Sequence, residues 1–317
     1  MWVRTQNQSW HNGGSGQVRE WADDWHHIAW TYDGTSNSTK FYVDGEVDFS
    51  TDSTNLGPLS NSPLVLFRIG GNENSTYSTG DIDDVRLLSR SLSQLEIQKL
   101  ITEGSLCGRW NFDEPATDQV SVDTSGNENH GTPRIPVVSG SRIAGKKGGA
   151  YKFNRTDQQY FDCGKKASLN MSAAITFMAW VKLESNNADS QIVYCKDTVG
   201  SRYRLNITAG GKLNLYVRTQ AQGWHVGGTG SSRVWTDGWH HISWTYDGST
   251  NSTKFYVDGE LDYANTTIST GPMSNASLSW LRIGGGENSV YCDAAIDNVR
   301  LYDSALSQES IQAQMTE

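Results

Sequence analysis

Short stretches of alternating apolar and polar residues run through most of the chain, and turn residues separate them. Alternation with a period of two is typical of a β-strand with one buried face. Asp44-Gly45 and Asp258-Gly259 each lie between two such stretches, and an Asp-Gly pair there predicts a hairpin with a two-residue turn. The pattern predicts an all-β protein, folded as an antiparallel β-sandwich.

About a third of the chain is present twice. "WHHIAWTYDG" from Trp25 returns as "WHHISWTYDG" from Trp239, and the same offset of 214 positions aligns residues 2–103 with 216–317 without a gap. Each copy ends in a helix signal; in the first, Ser93 and Glu96 have the spacing of a capping box. The segment before the second copy, from residue 105 to 215, occurs once.

This arrangement predicts a complete module over residues 105–317 and only the C-terminal half of another over residues 1–104. Half a sandwich would leave strand edges and a sheet face open to water. We therefore expect the chain either to be a piece of a longer tandem array or to be completed by neighbouring copies, which could build a filament.

Charge and composition narrow the possible partners. The 317 residues include 35 acidic and 26 basic residues, for a net charge of −9. This balance argues against a nucleic-acid-binding surface and is compatible with a divalent cation.

No membrane span is predicted, because a run of about 18 apolar residues is absent. The start, "MWVRTQNQSW", has no signal-peptide pattern. The 12 Trp and 13 Tyr suit both cores and sugar-binding faces.

Cysteines and glycosylation sequons bear on whether the protein lies inside or outside the cell. Cys107, Cys163, Cys195 and Cys292 lack a CxxC motif, which argues against zinc; two disulfides remain possible, with three connectivities open. Asn-x-Ser/Thr acceptors favour an extracellular or cell-surface protein. The candidate glycosylation sites are Asn7, Asn37, Asn74, Asn154, Asn170, Asn206, Asn251, Asn265 and Asn275.

Four stretches carry a family resemblance: "GRWNFDE…DTSGNENHGT", "ITFMAWVKL", "WHHISWTYDG…KFYVDGE" and "IDNVRLYDSALSQESI". In that order they resemble the laminin-G-like (pentraxin-like) modules of the concanavalin A-like lectin/glucanase superfamily. The resemblance covers residues 105–317 and, over residues 1–104, the second half of such a module. It implies a concanavalin A-type jelly roll of two packed antiparallel sheets, tandem modules in large secreted or surface proteins, and glycan or protein ligands. Such modules often hold a structural calcium ion.

Two repeated motifs could suggest catalysis. Glu46 with Asp48, and Glu260 with Asp262, resemble the start of the E-x-D-x-x-E strand of β-glucanases, but the second Glu is absent. Retaining hydrolysis needs two carboxyl groups about 5–5.5 Å apart. The paired histidines, such as His240-His241, are adjacent on a predicted strand and point to opposite faces, so they cannot bind one metal ion together. We therefore predict that the protein is not an enzyme.

A Gly- and Asn-rich loop, residues 123–132, is the candidate calcium site. Hard cations take six to eight oxygens from carboxylates, amides and backbone carbonyls. The resemblance implies that this loop closes over calcium together with an Asp of the last strand, which is Asp297 here. The predicted ligands are Asp123, Asn127, His130 and Asp297, of which Asn127 and His130 could contribute backbone oxygens. The first copy keeps Asp83 but lacks the loop.

Aromatic and polar residues between positions 218 and 239 form the candidate ligand site. Aromatic rings stack on sugar C–H surfaces, while Gln, Asn and Arg bind hydroxyl groups. Trp224 and Trp235 are flanked by Gly and polar residues, so we expect them at the surface, whereas Trp239 and Trp25 suit the core. The predicted ligand-binding residues are Arg218, Gln220, Trp224, His225 and Trp235. The first copy repeats the pattern from Arg4 to Trp25, so a purely structural role is an equal alternative.

Three functions remain open from the sequence. The first is a non-catalytic repeat of a large extracellular or surface protein that binds glycan or protein ligands in adhesion. The second is a structural unit of a surface layer, stalk or filament, completed by neighbouring chains. The third, a glycan hydrolase, rests on fold analogy alone, which is a weak argument.

Overall fold

The computed structural model describes residues 2–4, 10–12, 15, 17, 26–52, 57–60, 62, 68–71, 77–82, 85–102, 106–267, 270–287 and 290–316. The chain folds as two compact units, Met1–Thr102 and Glu103–Glu317. We call them unit 1 and unit 2.

Unit 1 contains five short strands and one helix among its described residues. They are β1 Trp2–Arg4, β2 Trp10–Asn12, β3 Ile28–Asp33, β4 Ser38–Val43, β5 Glu46–Thr51 and α1 Gln94–Thr102. Strands β1 and β2 pair with each other, and β3, β4 and β5 form a three-stranded meander.

Unit 2 contains fifteen strands and one α-helix within the stretches that the structure describes. The strands are β6 Leu106–Trp110, β7 Thr132–Pro133, β8 Arg142–Ala144, β9 Gly149–Phe153, β10 Phe161–Asp162, β11 Ala174–Leu183, β12 Ser190–Asp197, β13 Gly200–Ile207, β14 Lys212–Thr219, β15 Gly223–Ser232, β16 His240–Asp247, β17 Ser252–Val257, β18 Glu260–Asn265, β19 Leu278–Ile283 and β20 Ala294–Tyr302; the helix is α2 Gln308–Thr316.

The strands of unit 2 form two antiparallel sheets. The first has seven strands in the order β15-β14-β13-β12-β19-β10-β7. The second has the order β18-β17-β16-β11-β20-β9-β8, and β6 also pairs with β20. One hydrophobic cluster contains residues of both sheets, including Leu205 and Leu215 of the first and Phe177 and Trp244 of the second. Unit 2 is therefore a β-sandwich, which confirms the predicted fold class.

The outer face of the second sheet is covered near its centre. Met178, Tyr256, Tyr302, Leu306 and Ile311 form a smaller buried cluster there. Tyr256 and Ile311 are almost completely buried, at 3% and 0% exposure. Because Ile311 lies on α2, the helix packs against this sheet through Ile311. Strands β11 and β20 are thus buried on both faces.

The predicted hairpins are confirmed. In each copy an Asp-Gly pair makes the two-residue turn, and Val43 pairs with Glu46 as Val257 pairs with Glu260. Asp258 and Gly259 have φ of 53° and 81°, the left-handed values that a type I′ turn requires at both positions.

The helix start that was predicted at Ser93 is also present. The backbone N–H of Ser93 donates to Glu96 Oε2 at 2.7 Å, and the N–H of Glu96 donates to Ser93 Oγ at 3.3 Å. These reciprocal bonds form the capping box. Hydrogen bonds from Arg90 and Ser93 lower the pKa of the exposed Glu96 to about 2.

All four cysteines are buried in unit 2, and none of them is part of a disulfide. The two disulfides that the sequence allowed are therefore not formed. Burial raises the pKa of Cys107 and of Cys195 to about 12. Across the described ranges, neither helix is long and apolar enough to cross a membrane.

Candidate ligand-binding surface

One row of cross-strand neighbours crosses all seven strands of the first sheet and points away from the core. The register pairs successive members in antiparallel ladders. From β7 to β15 the row consists of Thr132, Asp162, Arg282, Tyr194, Arg204, Tyr216 and Val226. In the middle of the row, arginine and tyrosine alternate. All of these residues face outward, because successive side chains of a strand point to opposite faces of the sheet.

A cation–aromatic stack lies on the last three strands of this row. The guanidinium of Arg204 is 4.1 Å from the ring centre of Tyr216 and 5.4 Å from that of Trp224. The rings of Tyr216 and Trp224 are stacked, with centres 5.7 Å apart and planes 14° apart. Trp224 is 40% exposed. The stack therefore presents an indole to solvent.

A second stack lies on β19 and beside β10. The guanidinium of Arg282 is 3.9 Å from the ring centre of Trp280 and 4.3 Å from that of Tyr160. Tyr160 is stacked on Tyr291, with ring centres 6.5 Å apart. Asp162 lies 3.3 Å from Nε of Arg282 and balances its charge. We call Arg204, Tyr216, Trp224, Trp280, Arg282 and Tyr160 the aromatic–arginine face.

Arg204 differs from the other cations near this face in its partners. Arg282 is paired with Asp162, and Lys196 with Glu287 at 2.5 Å. No ion pair involves Arg204 within the described part of the chain, and its Nε has no hydrogen-bond partner there. The guanidinium of Arg204 contacts aromatic rings instead of a carboxylate. Its positive charge is therefore available to an oxygen-rich ligand.

The predicted ligand-binding residues fall in different places. Trp224 lies on the aromatic–arginine face. Gln220 is exposed in the turn after β14, where its Nε2 donates to the Met273 carbonyl at 3.1 Å. His225 pairs with the buried Val217, so it points to the other side of the sheet, and its Nδ1 is 2.9 Å from the Gly223 carbonyl.

The predicted ligand-binding roles of Trp235 and Arg218 are wrong. Trp235 has no exposed surface, and its indole N–H donates to the Gly211 carbonyl at 2.8 Å. It is a core residue and cannot contact a ligand. The Arg218 side chain, although on the outward face, is only 12% exposed and donates to the fully buried carboxylate of Asp197. The need to neutralise that carboxylate explains why Arg218 is turned inward.

The carboxylate of Asp197 is the centre of a buried polar cluster. It also accepts from Ser274 Oγ at 2.7 Å and from the Val199 N–H at 2.9 Å, and Arg202 Nε lies 3.3 Å away. Burial alone would raise the pKa of Asp197, but the hydrogen bonds from Arg218 and Ser274 outweigh it and lower the pKa. Arg218 thus stabilises the fold rather than a ligand.

The acidic residues of the repeated hairpin are engaged separately. Glu260 accepts from the side-chain amides of Gln308 and Gln312 on α2 at 3.2 and 3.4 Å. The nearly buried carboxylate of Asp262 accepts from the Ser231 N–H and from Arg233, at 3.0 and 2.8 Å. These contacts give both carboxylates structural partners.

The paired histidines lie in opposite environments, as predicted. Burial would lower the pKa of His240, but hydrogen bonds to Asp237 and Asp258 outweigh it and raise the pKa. His241 is 2% exposed, beside the Trp180 ring, and burial lowers its pKa to about 4. His240 binds carboxylates, and His241 is a neutral core residue at pH 7.

The predicted calcium loop is held by its own hydrogen bonds. Asp123 accepts three backbone N–H groups, from Arg109, Ser125 and Asn129, at 2.8, 2.9 and 2.8 Å. The Asn127 side chain donates to the Leu106 carbonyl at 2.9 Å, and His130 Nδ1 accepts the Asp123 N–H at 3.1 Å. The Asp123 carboxylate therefore already has the partners that it would otherwise find in a cation.

Asp297 lies against a different segment, the glycine-rich turn 145–149. Its Oδ2 accepts the Lys147 N–H at 2.8 Å, and its Oδ1 is buried without a hydrogen-bond partner. A Cβ on Gly145 would lie 2.6 Å from Asp297 Oδ2, and one on Gly148 would lie 2.2 Å from Asp113 Oδ1. Burial is the main cause that raises the pKa of Asp297 to about 6, and the charge of Asp113 adds to it. The turn thus brings Asp297 and Asp113 together.

Side chains alone do not form a metal site here. Among the residues that the structure describes, no group of three or more His, Cys, Asp or Glu side chains could hold a metal ion. A cation bound by Asp297 and Asp113 would therefore need backbone carbonyl oxygens as well, which calcium accepts.

The sequons differ in exposure. Asn154, Asn170 and Asn275 are exposed, and Asn37, Asn251 and Asn265 are half-buried. Asn206 is 4% exposed in β13, and its Oδ1 accepts from Gln191 at 3.4 Å. Its burial removes it from the glycosylation candidates. Asn7 and Asn74 lie outside the described residues.

The first copy repeats the hairpin that carries Trp224. Arg4 pairs with Trp10 across β1 and β2, as Arg218 pairs with Trp224 across β14 and β15. His11 pairs with Val3, as His225 pairs with Val217. Gln6, Gln8, Trp21, Trp25 and Asp83 lie outside the described residues.

A family comparison identifies the module. The family model described as the concanavalin A-like lectin/glucanases superfamily, in its laminin G form, matches residues 1–98 and 155–312. The chain belongs to the laminin G-like family. The predicted resemblance is confirmed. A search of the curated proteins found no match.

Solved structures agree with a laminin G-like fold. Domain 4 of AbnA, a GH43 extracellular arabinanase from Geobacillus stearothermophilus solved with arabinotriose, is 19% identical, with a TM-score of 0.54, over 67% of this chain and 98% of that one. The binding domain of Paraclostridial Mosquitocidal Protein 1 is 14% identical, with a TM-score of 0.52, over 66% and 51%. The botulinum neurotoxin serotype G binding domain is 11% identical, with a TM-score of 0.51, over 66% and 50%.

The match spans about half the length of the two toxin domains. At these identities the likeness shows the fold alone. It is a fold that also occurs in a domain solved with a bound oligosaccharide.

Most of the aromatic–arginine face of this laminin G-like module was not predicted from the sequence. A signal was present, because Arg204, Tyr216 and Arg282 occupy alternate, non-core positions in "YRLNI", "KLNLYVR" and "SWLRIG". The sequence alone does not tell which of these strands are neighbours, and the stacks form only between neighbours.

Proposed function

We propose that the protein is a non-catalytic glycan-binding laminin G-like protein of the cell exterior. The glycan would lie across the aromatic–arginine face of unit 2. The observation that carries the proposal is Arg204, whose guanidinium contacts the rings of Tyr216 and Trp224 and has no carboxylate partner among the described residues.

The chemistry of the face suits a sugar chain. Exposed indole and phenol rings stack on the C–H faces of pyranose or furanose rings, and arginine donates to hydroxyl or carboxylate oxygens. Two stacks lie on the same face, each with one arginine and two aromatic rings. This repetition suits an extended ligand better than a single small molecule. The arabinotriose complex of a domain with the same fold supports a glycan over other ligand classes.

A binding role is supported over hydrolysis. Glu260 and Asp262 are each held by other side chains, and His240 and His241 lie in different environments. Hydrolysis would need a pair of carboxyl groups facing one bond. The glutamine and arginine partners of these carboxylates fit a structural role.

A location outside the cell is supported by the exposed sequons at Asn154, Asn170 and Asn275. The extracellular arabinanase domain that shares the fold agrees with it. An adhesion role would follow if the glycan belongs to another cell or to a matrix.

We further propose a structural calcium ion in unit 2, held by Asp297 and Asp113 and by backbone carbonyls of the turn 145–149. The unpaired buried Oδ1 of Asp297 and the tight packing of Gly145 and Gly148 support this position. Calcium would supply the positive charge that two neighbouring carboxylates lack. Of the four predicted calcium ligands, this proposal retains Asp297. Asp123, Asn127 and His130 would instead stabilise the loop 123–132 through their hydrogen bonds.

The glycan proposal can be tested on the full chain with a glycan array, followed by calorimetric titration of the best oligosaccharide. Trp224→Ala and Arg204→Gln should each lower the affinity by about tenfold, which corresponds to about 1.4 kcal/mol. Val226→Ala is the matched control, because Val226 is 43% exposed on the same strand but has no ring. It should bind as the unmodified chain does, and all three variants should keep the melting temperature.

Two results would overturn the proposal. One is a full chain that binds no glycan; the other is binding that both substitutions leave unchanged. Binding to a surface protein that persists after its glycans are removed would assign the face to a protein ligand instead.

A further inference from the structure

The two copies of the repeated half adopt the same local structure. At the offset of 214 positions, β3, β4 and β5 correspond to β16, β17 and β18, and α1 corresponds to α2. Local sequence therefore forms these hairpins and helices in both units. The copies differ in what surrounds them.

The first difference is a strand edge. In unit 2, β16 lies between β17 and β11, with Ile242 opposite Ala179 and Trp244 opposite Phe177. In the described part of unit 1, the corresponding strand β3 pairs with β4 alone. Ile28 of β3 is 66% exposed, while its counterpart Ile242 is 0% exposed. Among the described residues, no strand lies along the edge of β3 that corresponds to the position of β11 in unit 2.

The second difference is a whole strand. Residues 294–302 form β20, which is buried at every position and pairs with β6, β9 and β11. The corresponding residues 80–82 and 85–88 of unit 1 are not in a strand. Val85 and Leu87 are 52% and 81% exposed. Since "IDDVRL" and "IDNVRL" are nearly identical, the partner strands, not the local sequence, decide whether this segment is a buried strand.

The third difference is a hollow in the surface of unit 1. Thr31, Tyr42 and Leu92 contribute to its lining. In unit 2, the counterparts of Tyr42 and Leu92 are Tyr256 and Leu306, which pack against Met178 of β11, and Thr176 of β11 accepts the Leu306 N–H at 2.8 Å. The hollow thus lies where side chains of β11 are seated in the complete module.

We propose that unit 1 is an acceptor site for a polypeptide that supplies the N-terminal half of this same module, the half represented here by residues 105–215. Its β11-type strand would add antiparallel to β3. By the register of unit 2, Thr176 would lie opposite Thr31, and Phe177 opposite Trp30. Residues 80–82 and 85–88 would then join a strand on its other side. Main-chain hydrogen bonds would give affinity, and the alternate side chains would fix the register.

For residues 1–317 taken alone, the number of half-modules argues against an exchange between copies as the final arrangement. Each copy contains two C-terminal halves and one N-terminal half. If the N-terminal half of one copy closed unit 1 of another, it would leave its own residues 216–317 open. Exchange therefore gives no net gain in paired strands, and the filament of identical chains that the sequence suggested has no such driving force. The partner must bring an N-terminal half that is not already paired.

Strand addition can be tested by thiol capture on the full chain. The probe is a synthetic peptide of the β11 sequence, residues 174–183, with Thr176→Cys and appended lysines for solubility. With Thr31→Cys in the chain and a glutathione redox buffer, oxidised glutathione is reduced as the two thiols join. We expect the mixed disulfide to exceed the controls by about tenfold, because paired residues of neighbouring strands lie in contact. The four native thiols are buried and should not compete.

The chain provides its own controls. Thr245 is the counterpart of Thr31, is 2% exposed and already faces Thr176 of its own β11, so Thr245→Cys should not capture the peptide. A peptide that carries cysteine in place of Ile175 moves the thiol to the opposite face and should not react with Cys at position 31. Equal capture of both peptides would show non-specific adsorption and would overturn the proposal.

A measurement without cysteine substitution covers the case in which the Thr31→Cys chain folds poorly. Hydrogen exchange on the unmodified chain, with an excess of the unmodified peptide, should slow at residues 28–33 and 85–88 by about tenfold or more. Exchange at 242–247 and 299–302 should not change. Unchanged exchange at both unit 1 segments would overturn the proposal, whatever the outcome for the glycan site.

Discussion

Leu87 and Leu301 occupy equivalent positions of the repeated half, yet Leu87 is 81% exposed and Leu301 is 1% exposed. They lie in the nearly identical stretches "DDVRLL" and "DNVRLY". Both copies have the apolar pattern of a buried strand, and burial is achieved only where β6, β9 and β11 are present.

This pair gives the first prediction. Leu301→Ala should lower the free energy of unfolding of unit 2 by about 2–5 kcal/mol, because it removes buried methyl groups and leaves a cavity. Leu87→Ala should change stability by no more than about 0.5 kcal/mol, as exposed substitutions do. Urea unfolding of the full chain, with the transition of unit 2 assigned by hydrogen exchange, checks both. An equal loss of stability for the two variants would show that Leu87 is buried in solution.

The repeat, the hairpins and the sandwich could be predicted because their signals are local. Asp44-Gly45 and Asp258-Gly259 need no tertiary information to form a turn, and the Ser93–Glu96 capping box is complete within four residues. Alternation then gives a sandwich, since each strand must bury one face.

The candidate site was harder to predict because its contacts are not local. Trp224 and Trp235 have similar neighbours in sequence. On β15, however, Trp224 points outward, while Trp235 is buried and donates a hydrogen bond to the Gly211 carbonyl. The pattern around Arg218 predicted a ligand contact, but the fold places the buried Asp197 beside it. The oxygen-rich loop 123–132 predicted a calcium site, and the sequence did not show that the Asp123 carboxylate accepts three backbone N–H groups.

The second prediction concerns that buried ion pair. Arg218→Ala should destabilise unit 2 by about 3–5 kcal/mol, because it removes a partner from a buried carboxylate. Arg218→Lys should lose less stability, because it keeps a positive charge beside the buried carboxylate of Asp197. Thermal unfolding checks both. If Arg218→Ala left the melting temperature unchanged but abolished glycan binding, the original assignment of Arg218 to the ligand would be restored.

The third prediction is a loss of stability in mild acid. Burial lowers the pKa of His241 to about 4, whereas the unfolded chain protonates this residue near its usual value. The unfolded state therefore binds the proton first, and stability should fall by about 1.4 kcal/mol for each pH unit between about pH 6.5 and 4. Above that window this residue contributes no pH dependence.

His240 provides the comparison within the same chain. Its pKa is raised, so it acts with the opposite sign, and its stabilisation is lost as the pH rises through that raised value. Ring-proton NMR should resolve two titrations on either side of the usual value for histidine. In His241→Phe the acid-side slope should decrease. A His241 that titrates like an exposed histidine would contradict its burial.

The fourth prediction separates the two candidate calcium positions. Calcium should raise the melting temperature of unit 2, and a chelator should reverse the effect, because binding to the folded state alone stabilises it. Asp297→Asn and Asp113→Asn should each abolish this response. Asp123→Asn should lower the melting temperature, because it weakens the bonds to three backbone N–H groups, but the calcium response should remain. A response that disappears only with Asp123→Asn would place the ion in the loop 123–132, and no response in the unmodified chain would exclude a stabilising calcium ion.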